Sequence, residues 1–491
     1  MHLPIELDRA LDVPLQNQLY EQLRGLILSG RLKGNTRLIA TRFLAEQLGI
    51  SRTTVLLAYE RLISEGYLET RPAVGTYVCT NLPDQPPIAV PPPSRDCEFL
   101  PQATLRPPAI CMPPPPASFN SKPAIDFWHG PDQSIFPLRI WQRITHQVLE
   151  NCGRDISQPP PTAGIEPLRS AIAEWLAVHR GIVVDQEQVI VVAGRQQAYN
   201  VASRMFLNRG DPVVVEWPGD DGASCLFDSL GARLCRVPVD EQGLMVDRLP
   251  DGPAVLAHVT PCHQTPLGGT LPVERREKLI QWARKAGAYI IEDDCNGDFR
   301  YRGMGPPSLK SLDPYGLVLF AGTFSRSIGA GLRVGYLVVP PELAGPANAQ
   351  KALLDNGNPW LEQMVLAEFI ASGEYDRHLR RVRKTYLDRR DCLLSAFRLH
   401  FGEVRLGGTD AGTHVTWFLD IGQPRAQIVK TLAHSQGIGV YTVCNDDLTD
   451  GRRPPFADEA VILGYSSLDE QQIRAGVAGL AQVMNGWRSA G

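Results

Sequence analysis

No CxxC pair exists in the chain, whose ten cysteines are never closer than ten positions. That excludes a zinc knuckle or a dithiol redox centre and reads as reduced thiols in cores and loops, with no metal site expected. Long apolar runs are missing as well. None approaches the roughly 18 residues of a membrane span, and Met1-His2-Leu3-Pro4-Ile5-Glu6 lacks the basic start and apolar stretch of a secretory leader. A cytoplasmic protein with no membrane partner is expected. An excess of one charge is also lacking: 49 Lys and Arg stand against 53 Asp and Glu, a formal net charge of −4. No global field draws such a chain to nucleic acid, so binding of that kind must come from a local patch.

What is present is a chain of 491 residues, too long for one domain of roughly 150 residues. Its 43% hydrophobic and 21% charged residues are globular values, which exclude a wholly disordered or collagen-like chain. Proline marks the clearest boundary, with 14 of the 43 positions from Asn81 to Pro123. Such a stretch favours extended polyproline II and reads as a semi-rigid linker. The expected division is a head over 1–80, a linker over 81–123 and a body over 124–491.

In the head, Leu15, Leu19, Leu23, Leu26 and Ile27 recur at helical spacing, and Ser29-Gly30 closes the run. A second helix over Ala40–Leu48 ends at Gly49, and Ser51 caps a third running to Gly66. Two short helices joined by Gly49-Ile50-Ser51 form a helix-turn-helix, and Tyr67–Arg71 with Gly75–Val78 reads as a hairpin wing. Between Arg24 and Arg52 the basic residues Arg24, Arg31, Lys33, Arg37, Arg42 and Arg52 face the single acid Glu46. The start of the second helix of such a motif points at base edges, which puts Ser51, Arg52, Thr53 and Thr54 where double-stranded DNA is read. Arg52 or Arg42 suits a bidentate contact to guanine, while Arg71 and Gly75 on the wing reach the minor groove or backbone. The order Leu26-Ile27-Leu28-Ser29-Gly30-Arg31-Leu32, Leu48-Gly49-Ile50-Ser51-Arg52-Thr53-Thr54-Val55, Ala58-Tyr59-Glu60-Arg61-Leu62 and Gly75-Thr76-Tyr77-Val78 closely resembles the winged helix of GntR-family transcription regulators. By that resemblance the DNA-contacting residues are Arg42, Ser51, Arg52, Thr53, Thr54 and Gly75.

The body alternates near-continuous apolar strands, such as Val189–Ala193, Val213–Glu216 and Tyr289–Glu292, with amphipathic helices such as Gln196–Leu207 and Val273–Gly287. This pattern predicts an α/β sheet covered on both faces, followed from about residue 360 by a smaller α+β part. Gly164-Ile165, Gly194-Arg195-Gln196-Gln197-Ala198, Thr260-Pro261-Cys262-His263-Gln264, Ile291-Glu292-Asp293-Asp294, Gly322-Thr323-Phe324-Ser325 and Gly331-Leu332-Arg333-Val334-Gly335-Tyr336 are similar to fold type I, pyridoxal-phosphate-dependent aminotransferases, in the form fused to such heads in MocR-type regulators. The resemblance implies that Gly194, Arg195 and Gln196 present a helix N-terminus to the cofactor phosphate. It also implies that Asp293 pairs with the pyridine nitrogen, His263 sits beside the ring hydroxyl and Arg333 binds the phosphate, with Ser325 among the cofactor-binding residues. Read without the family, Asp293 at a strand end suits a helix cap and His263 a turn.

Departures from the family pattern carry as much weight. Where it has a Schiff-base lysine, this chain reads Gly322-Thr323-Phe324-Ser325-Arg326, and a guanidinium is never the neutral amine that condenses with an aldehyde. Two usual tyrosines are replaced by Asp220 and Cys295, and Lys310, in a Pro-Ser-Leu-Lys surface-helix context, is no evident substitute. The expectation is a homodimeric regulator with no catalytic residue, unable to form the lysine aldimine. Its pocket would hold pyridoxal phosphate non-covalently or not at all, with Arg326 either pairing with Asp293 or helping Arg333 hold a small anionic effector. The alternatives are an aminotransferase carrying a regulatory DNA-binding head, and a body that only dimerises.

Overall fold

The computed structural model describes residues 3–83, 123–128, 130, 132–443 and 454–490 and divides into two units, Met1–Leu105 and Arg106–Gly491. Apart from residues 81–83 and Pro123, the expected linker lies outside the described residues.

The head packs three helices, Leu15–Leu28, Thr41–Leu48 and Arg52–Ser64, around one apolar cluster that includes Leu19, Leu23, Leu44, Val55, Tyr59 and Leu62. Gly49 closes the second helix at φ 65°, a left-handed backbone that favours glycine. Strands Leu68–Arg71 and Gly75–Val78 pair antiparallel, Leu68 opposite Val78 and Arg71 opposite Gly75, and make the expected wing.

The body is built on an eight-stranded sheet in the order Val189–Val192, Gly335–Val338, Val318–Thr323, Tyr289–Asp293, Leu256–Val259, Pro212–Trp217, Arg233–Asp240 and Gly243–Leu244. The five strands from Val318–Thr323 to Arg233–Asp240 run parallel, and Gly335–Val338 runs antiparallel to both neighbours. Val189–Val192, Leu256–Val259 and Gly335–Val338 are buried at every position, as a sheet covered on both faces requires. The carboxyl ends of Val189–Val192 and of the five parallel strands therefore share one edge, where open α/β sheets take their ligands. On that edge the chain leaves its strands at Gly194, Asp293 and Ser325, and enters one at Gly335 after Arg333.

The second part carries an antiparallel sheet of Leu406–Gly407, His414–Phe418, Ala460–Gly464 and Tyr441–Thr442, flanked by the long helices Glu374–Phe401 and Glu470–Ala490. The two-residue strand Ile125–Asp126 joins this part, pairing parallel with Ile438–Gly439. No helix of the described residues is long and apolar enough to cross a membrane.

Candidate functional site

The head's turn is fixed by Ser51, whose hydroxyl accepts from the Thr54 amide at 3.1 Å and lies 2.8 Å from the Thr54 hydroxyl. That N-cap satisfies one of the free amides of the first helical turn and sends Arg52 and Thr53 outward, both exposed, while Thr54 is half-buried against Ser51. Arg42, in the first turn of the preceding helix, is exposed too, and neither Arg42 nor Arg52 makes an ion pair among the described residues. The wing behaves differently. Arg71 donates to Asn35 Oδ1 at 2.6 Å, pairs with Glu69 and lies 4.3 Å over the Tyr77 ring. Gly75, at φ 135°, seats Arg37, since a β-carbon there would lie 3.1 Å from Arg37 Nε. Arg24 departs from the rest of the basic cluster: it is half-buried and donates to the Tyr67 hydroxyl at 2.8 Å, so it serves the head's own packing.

In the body, Gly194 leaves its strand at φ 99° and caps the helix Arg195–Phe206. Its missing β-carbon lets the Arg333 guanidinium approach, for such a carbon would lie 3.4 Å from both terminal nitrogens. Gln196 is exposed and donates to the Gly222 carbonyl at 2.8 Å. Thr323 donates to the Ser325 hydroxyl at 2.9 Å, which sets the turn that carries Arg326. Arg326 is half-buried and Arg333 exposed, and neither makes a hydrogen bond or ion pair among the described residues. Burial lowers the Arg326 pKa from its ordinary value, and the Arg195 charge adds to that.

Asp293, whose side chain is 0% exposed, has its partners elsewhere. Oδ1 accepts from the Cys295 amide at 2.9 Å, and Oδ2 accepts from the Tyr199 hydroxyl at 2.5 Å and from Arg195 Nη1 at 3.1 Å. This corrects the expected Arg326 pairing: Arg195 reaches the carboxylate first, because it opens the helix whose next turn supplies Tyr199, its neighbour at 3.3 Å. Asp220 Oδ2 accepts from the same Arg195 nitrogen, Nη1, while its Oδ1 accepts from the Ala223 amide and caps the next helix. Burial pulls the Arg195 pKa down, but Asp220, Tyr199 and Asp293 carry it well above its ordinary value; burial likewise raises Asp220, and the Arg195 charge more than reverses it. Tyr199 and the pairing role of Asp220 escaped the sequence reading, although the four-residue spacing of Arg195 and Tyr199 on one helix face was visible in it.

His263 is 2% exposed, with its ring wedged against Gly408 and Gly412 and 4.7 Å from the ring of His414. Neither ring nitrogen has a hydrogen-bond partner among the described residues. Burial, with His414 and Arg326 adding, lowers its pKa well below the usual value, so the imidazole is neutral. Lys310 lies at the opposite edge of the sheet. It is half-buried rather than on the surface, and its Nζ donates to the carbonyl of Val318 at 2.8 Å, where the strand Val318–Thr323 begins. At about 3.3 Å per residue that is roughly 16 Å from the end that carries Ser325 and Arg326.

Pyridoxal phosphate is the cofactor this fold implies, and the residues present do not fit its ring. Both lone pairs of Asp293 Oδ2 are taken by groups of the chain, so a protonated ring nitrogen finds its acceptor occupied. Arg326 follows Ser325 at this edge of the sheet, and the Lys310 amine lies at the opposite one.

The family model for bacterial regulatory proteins of the gntR family matches residues 15–78, and that for aminotransferase class I and II matches 132–429. The chain is 34% identical over 491 residues to the probable rhizopine catabolism regulatory protein MocR of Rhizobium meliloti, covering 99% of this chain and 97% of that protein. It is 31% identical to the pyridoxine biosynthesis transcriptional regulator PdxR of Corynebacterium glutamicum, over 96% of each. Among solved structures, the multiple substrate aminotransferase of Thermococcus profundus superposes with a TM-score of 0.68 at 27% identity, over 74% of this chain and 91% of that one. A GntR head joined in one chain to a class I and II aminotransferase body places the chain in the MocR-type regulators of the GntR family.

Proposed function

We propose that this transcription regulator reads DNA through Arg42, Ser51, Arg52, Thr53 and Thr54, with the wing residues Arg71 and Gly75 alongside, and that its body is a non-catalytic sensor of a small anion. Two bodies would form a homodimer and present two heads to paired half-sites. The observation that carries the reading is Arg326. It follows Thr323-Phe324-Ser325 at the ligand edge of the sheet, where covalent attachment of pyridoxal phosphate and proton transfer would both need an amine that can lose its charge. A guanidinium cannot do so near neutral pH. The unpartnered charges of Arg326 and Arg333 support an anion as the sensed ligand.

The test uses the full chain. Gel-shift titration with DNA upstream of its own gene is expected to give a specific complex, and incubation with pyridoxal phosphate and an amino donor is expected to give no turnover and no adduct on Lys310 after borohydride. Turnover, or a pyridoxyl group reduced onto Lys310, would establish instead an aminotransferase with a regulatory head.

A further inference from the structure

At the carboxyl edge of the sheet the chain brings Arg195, Arg326 and Arg333, together with the carboxylates Asp220 and Asp293. Both carboxylates are committed to Arg195. Asp220 cannot turn away without giving up its cap on the helix that begins at Asp221, because its other oxygen holds the Ala223 amide at 2.8 Å. Asp293 is likewise pinned through Oδ1 by the Cys295 amide at 2.9 Å. The guanidinium is therefore positioned by two anchored acids and by Tyr199, and the Arg195 side chain is still 33% exposed while the Asp293 side chain it pairs with is fully buried. A planar cation on a buried carboxylate is what a pyridinium would be there.

We infer that Arg195 stands in for the pyridine ring, so that the pocket excludes pyridoxal and takes a phosphate or phosphomonoester by its oxyanion alone, between Arg326 and Arg333. The inference rests on the proposed reading of the body as a sensor. Admitting a ring would require Arg195 to leave Asp293 and Asp220, adding a third unpaired guanidinium to the two already present and leaving Asp220 without its counter-ion. Charge and geometry both oppose that exchange. An oxyanion, by contrast, neutralises Arg326 and Arg333 without disturbing any hydrogen bond, and the amides at the start of the helix Arg195–Phe206 lie beside Arg333 through its packing on Gly194.

Calorimetric titration of the full chain with inorganic phosphate, pyridoxal and pyridoxal phosphate tests this. The wild type is expected to bind phosphate, to give no signal with pyridoxal, and to bind pyridoxal phosphate within about threefold of inorganic phosphate. Arg326→Ala and Arg333→Ala should each weaken phosphate by about tenfold or more. Arg195→Ser should tighten pyridoxal phosphate by about tenfold while leaving phosphate unchanged, and Arg195→Gln, closer in shape, repeats the measurement should the serine variant fold poorly. A wild type that binds pyridoxal phosphate ten times more tightly than phosphate overturns the inference whatever the variants do, and so does a chain that binds no phosphate. If such tight binding leaves nothing on any lysine after borohydride, the proposed regulator stands and only the exclusion of the ring fails.

Discussion

Arg42 and Arg52 in the head are exposed and unpaired, whereas Arg180 and Arg195 in the body are each held by two carboxylates. The same residue type thus has opposite destinations. A guanidinium in water loses little when it exchanges solvent for a phosphate, while one enclosed among acids already has its partners and maintains the fold. Residue identity suffices to suggest what the head's arginines do. In the body, identity without geometry misleads, as Arg195 demonstrates.

The strongest way to break the contrast is to remove an enclosed arginine. Arg180 donates to Asp294 at 2.7 Å and to Asp298 at 2.6 Å, and its side chain is 12% exposed. Arg180→Met leaves two buried carboxylates unpaired and is expected to destabilise the body by about 3–5 kcal/mol, read as the shift of its denaturant midpoint. Equal midpoints for Arg180→Met and wild type would show that the pairs do not hold the fold.

Buried acids extend the comparison to pH. Glu216 accepts from the Thr260 hydroxyl at 2.6 Å and the Gln264 amide at 3.2 Å, and burial pushes its pKa up to about 7 from 4.5. Between those values the folded body keeps a proton that the unfolded chain has lost, so this group's contribution falls as pH rises through the window. Glu216→Gln keeps the shape without the charge, so its stability relative to wild type should grow from pH 4.5 to about 7 by at most about 3 kcal/mol. Glu65 in the head has the opposite sign: the Tyr20 hydroxyl, then Arg61, hold its pKa below 4.5, so its contribution is lost as pH falls. A variant whose advantage does not change with pH would refute the burial argument for Glu216.

Ser51 shows how much was legible in the head. Its expected cap, the turn before it and the wing after it all appear, because each depends on residues within a few positions. The body strands were legible for a related reason: a sheet covered on both faces leaves unbroken apolar runs such as Val189–Val192. What could not be read there depends on distant pairing. Arg195 and Asp293 are 98 positions apart, and only the strand order brings them together. Ile125–Asp126 is too short to show a period, and its pairing with Ile438–Gly439 follows from a fold that closes across the whole body.

For the head, Arg52→Ala sharpens the contrast from the other side. Loss of a base-edge contact is expected to weaken specific DNA binding by about 1–3 kcal/mol in a gel-shift titration. The head's thermal midpoint should not move, since Arg52 touches nothing that holds the helices. A falling midpoint would assign Arg52 to the head's stability instead.

The smallest effect is expected at the wing, where Arg71 resembles the body's arginines more than its neighbours in the head. Its charge is met by Glu69 and its guanidinium is held over Tyr77, so the pair presents little net charge to a phosphate. Arg42→Ala should lower the slope of log affinity against log salt by about 1, because each lost phosphate contact releases about one counterion fewer. Replacing Glu69 and Arg71 together by alanine should leave that slope nearly unchanged, since the pair carries no net charge to lose. If the double variant loses as much slope as Arg42→Ala, Arg71 leaves Glu69 for the DNA backbone, and the wing belongs with the free arginines Arg42 and Arg52 of the helix-turn-helix.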